Sequence, residues 1–171
     1  PLRKIVEAKG YDGGPFFSPD GKKICYRSDR RQNGELQLYV ADLVFSEGGT
    51  IIGTVNERAL TDQTGVVNWA PYWSRDGKYL LYASSAFGHD NYELMAIDVD
   101  NPLRAARVTV SAGFDGLPAL SDDGAWLMWS SQRGGAEPGE AKPSTQLWIA
   151  KVTGSPAFPK HRYCSGEYGS S

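Results

Sequence analysis

Pro15-Phe16-Phe17-Ser18-Pro19-Asp20-Gly21-Lys22 is one of three copies of a single pattern. The others are Pro71-Tyr72-Trp73-Ser74-Arg75-Asp76-Gly77-Lys78 and Pro118-Ala119-Leu120-Ser121-Asp122-Asp123-Gly124-Ala125. They share the frame Pro-x-x-Ser-x-Asp-Gly, with the prolines 56 and then 47 residues apart. Asp-Gly between two apolar runs marks a hairpin, because glycine accepts the positive φ that the turn requires. The proline is expected at the first residue of a strand, where its missing N–H costs least.

Working outward, each copy continues alike. An apolar strand follows Asp-Gly at Lys23–Arg27, Tyr79–Ala83 and Trp126–Ser130, and an alternating strand comes next at Leu36–Ala41, Glu93–Asp98 and Gln146–Lys151. Weaker closing strands are read at Arg58–Thr61, Arg107–Val110 and His161–Cys164, while Arg3–Glu7 reads as the last strand of a preceding unit. No 3.6-residue periodicity persists, so helices are not expected. Four short strands per repeat of roughly forty to fifty residues define a β-propeller. The expected fold is therefore all-β: a partial or half propeller of three four-stranded antiparallel blades. One domain spans 1–171, with blades at about 10–65, 66–112 and 113–166, a preceding strand at 1–9 and a tail at 167–171.

Composition fits that reading. Twenty glycines, ten prolines and 12% aromatic residues suit short strands and tight turns. A formal charge of −2 excludes a nucleic-acid partner, which would need a concentrated positive field. The densest basic cluster, Arg27, Arg30 and Arg31, contains Asp29 and reads as a solvated loop. No apolar run approaches the length of a membrane-spanning helix. A start at Pro1 suggests a chain processed or excised from something longer. Cys25 reads as a small core residue; a bond to Cys164 is open but not indicated.

The Pro-x-x-Ser-Pro-Asp-Gly-Lys core at 15–22, followed by an apolar strand and Arg27-Ser28-Asp29-Arg30, resembles the repeat of TolB-like propellers. The other copies carry Arg75 and Asp122 where the first has Pro19. The resemblance implies a periplasmic or secreted bacterial protein, usually built as a closed ring of six blades. Three blades leave sheet edges open, so a homodimer or the remaining blades of a longer chain are expected partners.

In such a fold, loops from the fourth strand to the next blade's first strand share a face with loops between the second and third strands. On this chain the first set holds 11–14, 68–70 and 114–117, and the second 28–31, 85–91 and 131–134. The candidate ligand-binding residues there are Asp12, Asn68, Trp69, His89, Asp90, Asp115 and Arg30. Asp12, Asn68 and Asp115 share one repeat position. Either they cap their own turns or, in a closed ring, their oxygens converge on a hard cation such as calcium, with Asp12 and Asp115 as the carboxylate donors. His89 beside Asp90 is either a ligand or base, or an exposed loop histidine. The tryptophans are assigned to packing between blades, Trp69 least securely.

Nucleophile elbow, zinc-helix and phosphate-loop motifs are all missing from the sequence. The expectation is a non-catalytic TolB-like scaffold that binds a protein or a cell-envelope component, without a cofactor. The alternative is the propeller portion of an enzyme, either a prolyl-oligopeptidase-type peptidase or a metal-dependent oligosaccharide lyase.

Overall fold

The computed structural model describes residues 2–154. Those residues hold eleven strands and no helix: β1 (Asp12–Phe17), β2 (Lys23–Ser28), β3 (Gln37–Phe45), β4 (Ile51–Ala59), β5 (Asn68–Trp73), β6 (Tyr79–Ser84), β7 (Glu93–Asp98), β8 (Ala105–Arg107), β9 (Asp115–Leu120), β10 (Trp126–Ser131) and β11 (Gln146–Lys151). Every pairing is antiparallel, giving sheets β1-β2-β3-β4, β5-β6-β7-β8 and β9-β10-β11. The strand expected at His161–Cys164, and Cys164 itself, lie outside the described residues.

Alternation along the strands puts the core between sheets rather than within one. Cys25, Leu38 and Val40 of the first sheet meet Trp73, Leu80, Tyr82, Met95 and Ile97 of the second. The opposite face of the second sheet, through Leu81, Leu94 and Ala96, meets Leu127 and Trp129 of the third. The first strands lie side by side, with β1 against β5 and β5 against β9, so they form one continuous wall. Burial pushes the Cys25 thiol up to about 12, which leaves it an inert core residue as expected.

The repeated Ser-x-Asp-Gly is a turn device. Ser18 donates to Asp20, which accepts the Lys22 amide, while the Lys23 amide donates to the Ser18 hydroxyl. The same bonds recur at Ser74/Asp76 and Ser121/Asp123. Gly21, Gly77 and Gly124 have φ of 68°, 69° and 70°.

The proline stands elsewhere than the sequence suggested. Pro15, Pro71 and Pro118 are each the fourth residue of a strand, not the first. Each sits in a bulge, where Gly14-Pro15, Ala70-Pro71 and Leu117-Pro118 face one residue across: Tyr26, Tyr82 and Trp129. A bulge leaves a backbone group outside the ladder, so the missing N–H costs nothing there. The residue ahead of each proline is left-handed, with φ of 60° at Gly14, 50° at Ala70 and 55° at Leu117.

The amino-terminal segment also departs from expectation, because Arg3–Glu7 forms no strand. Side chains hold it instead: Thr54 donates to the Ile5 carbonyl and Arg3 to that of Ile52. Ile5 and Val6 lie over Ile24, Tyr26, Tyr39, Ala41 and Leu43, covering the outer face of the first sheet. The outer face of the third sheet is bare among the described residues, with Trp126, Met128, Leu147 and Ile149 all exposed.

Candidate functional site

The site face is built by tying two loops of each blade together. Just ahead of the first strand, Tyr11, Val67 and Phe114 each accept, at their carbonyl, the amide of Asp29, Ser85 and Gln132. The side chains of those three residues accept the Tyr11, Val67 and Phe114 amides in return. These reciprocal bonds extend the inner hairpin past its ladder, so the face is preorganised.

Asp12, Asn68 and Asp115 are the first residues of β1, β5 and β9, and no turn cap is found at any of them. Asp12 accepts Arg30 Nη2 at 3.1 Å. Asp115 is fully buried and accepts Arg133 Nη2 at 2.8 Å, Ser111 Oγ at 2.8 Å and Trp129 Nε1 at 3.2 Å. Burial pushes its carboxyl up, but bonds from Ser131, Ser111 and Arg133 outweigh that and hold it below the ordinary value. The partners repeat as well: Ser28 accepts both the amide and Nε of Arg30, and Ser131 does the same for Arg133. The second blade carries Asn68, Ser84 and Ala86 at these positions, so carboxylate and arginine are lost together. Asn68 turns instead to Gln37 and Gln63.

These bonds bear on the calcium expectation. The oxygens of Asp12 and Asp115 are engaged by arginines, and no three His, Cys, Asp or Glu side chains converge among the described residues. Such a set does not fit a hard cation, which takes six to eight oxygens. Arg30, expected in a solvated loop, is instead mostly buried, joining Asp12, Glu57 and Tyr26 and lying 4.2 Å over the Tyr39 ring. His89 and Asp90 are exposed in the loop between β6 and β7.

Of the aromatic residues that the face brings together, the sequence reading named Trp69 and left Tyr11, Tyr92 and Phe114 unassigned. The Tyr11 side chain lies across Gly13 and the Phe114 ring across Gly116, where an added Cβ would stand 2.2 Å from the Tyr11 hydroxyl oxygen and 2.4 Å from a Phe114 ring carbon. In the second blade the pair is exchanged, with Val67 for the aromatic and Trp69 for the glycine. Each blade thus contributes a large ring at this pair of positions, and the second blade adds Tyr92. Arg27 lies between two of them, its Cζ 5.6 Å from the Tyr11 centroid and 5.7 Å from that of Trp69. Trp69 continues to Phe114 at 6.1 Å and to Tyr92 at 6.3 Å. The exchange was visible in the aligned repeats, at 11/13, 67/69 and 114/116.

At the other end of the same strands a second concavity of about 230 Å³ opens beside Phe16, Phe17, Tyr72 and Leu120. It is smaller than the roughly 300–1,000 Å³ usual for small-molecule sites.

Sheets ordered from a shared inner wall outward, stacked face to face and joined by the same loops, have one established counterpart. They are β-propeller blades. Solved structures with this fold include a puromycin-hydrolyzing peptidase of Mycobacterium tuberculosis (TM-score 0.58, 18% identity, covering 75% of this chain and 20% of that one). A structure from a study of two prolyl endopeptidases matches with TM-score 0.51, 19% identity, 90% of this chain and 23% of that one. Kuenenia stuttgartiensis hydrazine synthase matches with TM-score 0.52, 15% identity, 82% of this chain and 24% of that one. The chain therefore spans about a fifth to a quarter of the length of these structures. No protein-family model and no curated protein matches it.

Proposed function

We propose that this chain is the recognition part of a TolB-like propeller, non-catalytic in itself, whose clamped loop face binds a protein ligand. The observation that carries the reading is a large ring ahead of or within the first strand of each blade, held on loops tied by reciprocal hydrogen bonds, with Tyr11 exposed and Trp69 and Phe114 partly so. The serine and aspartate of every repeat, the side chains most suggestive of chemistry, are engaged in turns. A periplasmic or secreted setting goes with the family resemblance. Selecting peptide ligands from a display library against the whole chain tests this. Ligands should lose binding with Trp69→Leu or Tyr11→Ala and keep it with Tyr72→Leu. The opposite pattern would place recognition at the other mouth, and turnover of a bound peptide would overturn the non-catalytic reading.

A second reading has its own support: two of the matching structures are peptidases that this chain covers in part. On that reading the blades gate a catalytic domain elsewhere in a longer protein, and the same rings face the substrate's path.

A further inference from the structure

The strip Tyr11–Arg27–Trp69–Phe114 has a chemistry that packing between blades does not require. Its centre is a guanidinium held between two aromatic faces. No carboxylate lies within salt-bridge range of Arg27 among the described residues. Its Nη2 donates to the Tyr11 hydroxyl at 3.1 Å, and its Nε is buried without a partner. The neighbouring acids are engaged elsewhere: Asp12 by Arg30, Asp115 by Arg133, and Asp29 by the Tyr11 amide. Among the described residues this positive charge therefore has no ion-pair partner, and it stands in an aromatic setting, where a carboxylate is held more strongly than in open water.

The ring geometry selects among anionic ligands. A sugar face stacks on one flat platform. Here Trp69 and Tyr92 stand edge to face at 85°, Tyr92 and Phe114 at 53°, and Trp69 and Phe114 at 34°. Rings tilted this way present a stepped apolar surface rather than a plane for a pyranose.

We propose that this strip binds a peptide segment carrying a carboxylate next to an apolar side chain. The carboxylate pairs with the Arg27 guanidinium, and the apolar side chain lies against the surface of Trp69, Tyr92 and Phe114. This deepens the proposed function and rests on the loop face being the recognition face.

Calorimetric titration of the whole chain with the blocked peptide Gly-Leu-Phe-Glu-Gly, its Gln counterpart and glucuronate tests it. The acidic peptide should bind at least tenfold more tightly than the Gln peptide. Arg27→Gln should abolish that preference and Arg27→Lys restore part of it. Trp69→Leu should weaken both peptides at least tenfold, while Glu47→Ala, in the exposed turn between β3 and β4, should change nothing; melting curves establish that each variant folds. Equal affinity for the two peptides, with binding still dependent on Trp69, would overturn the carboxylate assignment and leave the recognition face standing. Binding of glucuronate but neither peptide would overturn the ligand class. No Trp69-dependent binding of any of the three would overturn the inference, and binding lost with Tyr72→Leu instead would overturn the face as well.

Discussion

Replacing Asp115 by Asn tests the charged seam between the second and third blades, because the molecule already holds the neutral version one blade earlier. Asp115 is wholly buried and its partner Arg133 keeps 27% of its side chain exposed. Removing one partner of a buried ion pair costs about 3–5 kcal/mol when the other stays buried. Arg133 can swing to water, so Asp115→Asn should cost less, about 2–3 kcal/mol. Arg133→Ala strands a buried carboxylate with only Ser and Trp donors and should cost about 3 kcal/mol. The double variant recreates the Asn68/Ala86 pairing of the second blade. It should cost about 3 kcal/mol rather than the sum, a coupling of about 2 kcal/mol. Urea midpoints at constant m measure all four corners. Additivity within about 0.5 kcal/mol would refute the pairing as a coupled unit. The pH dependence provides a second reading. Because the folded carboxyl lies below its ordinary value, its contribution is complete above that ordinary value and is lost as pH falls through the lowered one. Asp115→Asn should therefore flatten the acid limb of the stability curve.

Leu117→Gly should raise stability by about 0.5–1 kcal/mol, since a half-exposed leucine stands at φ 55° where glycine is unstrained; a lower melting temperature would contradict this. Cys25 should resist thiol reagents in the native protein and react at the normal rate once urea unfolds it, and rapid native labelling would show that the seam between the first two blades opens. Leu147→Lys with Ile149→Lys should leave the melting temperature nearly unchanged and cut fluorescence of a bound hydrophobic dye, because the face of the third sheet that is bare among the described residues is where such a dye collects. A marked loss of stability would mean that this face is covered within the chain.

Much of the fold was legible because its signals are local. Ser18-x-Asp20-Gly21 encodes a hairpin through bonds within six residues, and its three copies reveal the blades. The prolines were misplaced because a bulge is a property of two strands, and nothing in Gly14-Pro15 or Leu117-Pro118 alone announces what lies across from it. Residues 3–7 carry a strand-like pattern, yet pairing needs a ladder and only side chains reach them. The repeat positions of the candidate residues were legible, and their bonding was not. Asp12 and Asp115 did fall on the loop face, but their arginine partners lie 18 residues on and were seen as loop charges. Tyr11 and Trp69 come to flank Arg27, and Trp69 to meet Phe114, through blade stacking, with the glycines at 13 and 116 making room.

The most direct test of the loop face is the set of indole N–H resonances from the five tryptophans, each assigned by a single Trp→Phe substitution and followed while a selected peptide ligand is titrated in. The account predicts that the Trp69 signal moves with saturation while those of Trp73, Trp126, Trp129 and Trp148 stay in place. Movement of the Trp73 signal with a stationary Trp69 would contradict it, because that residue borders the opposite mouth.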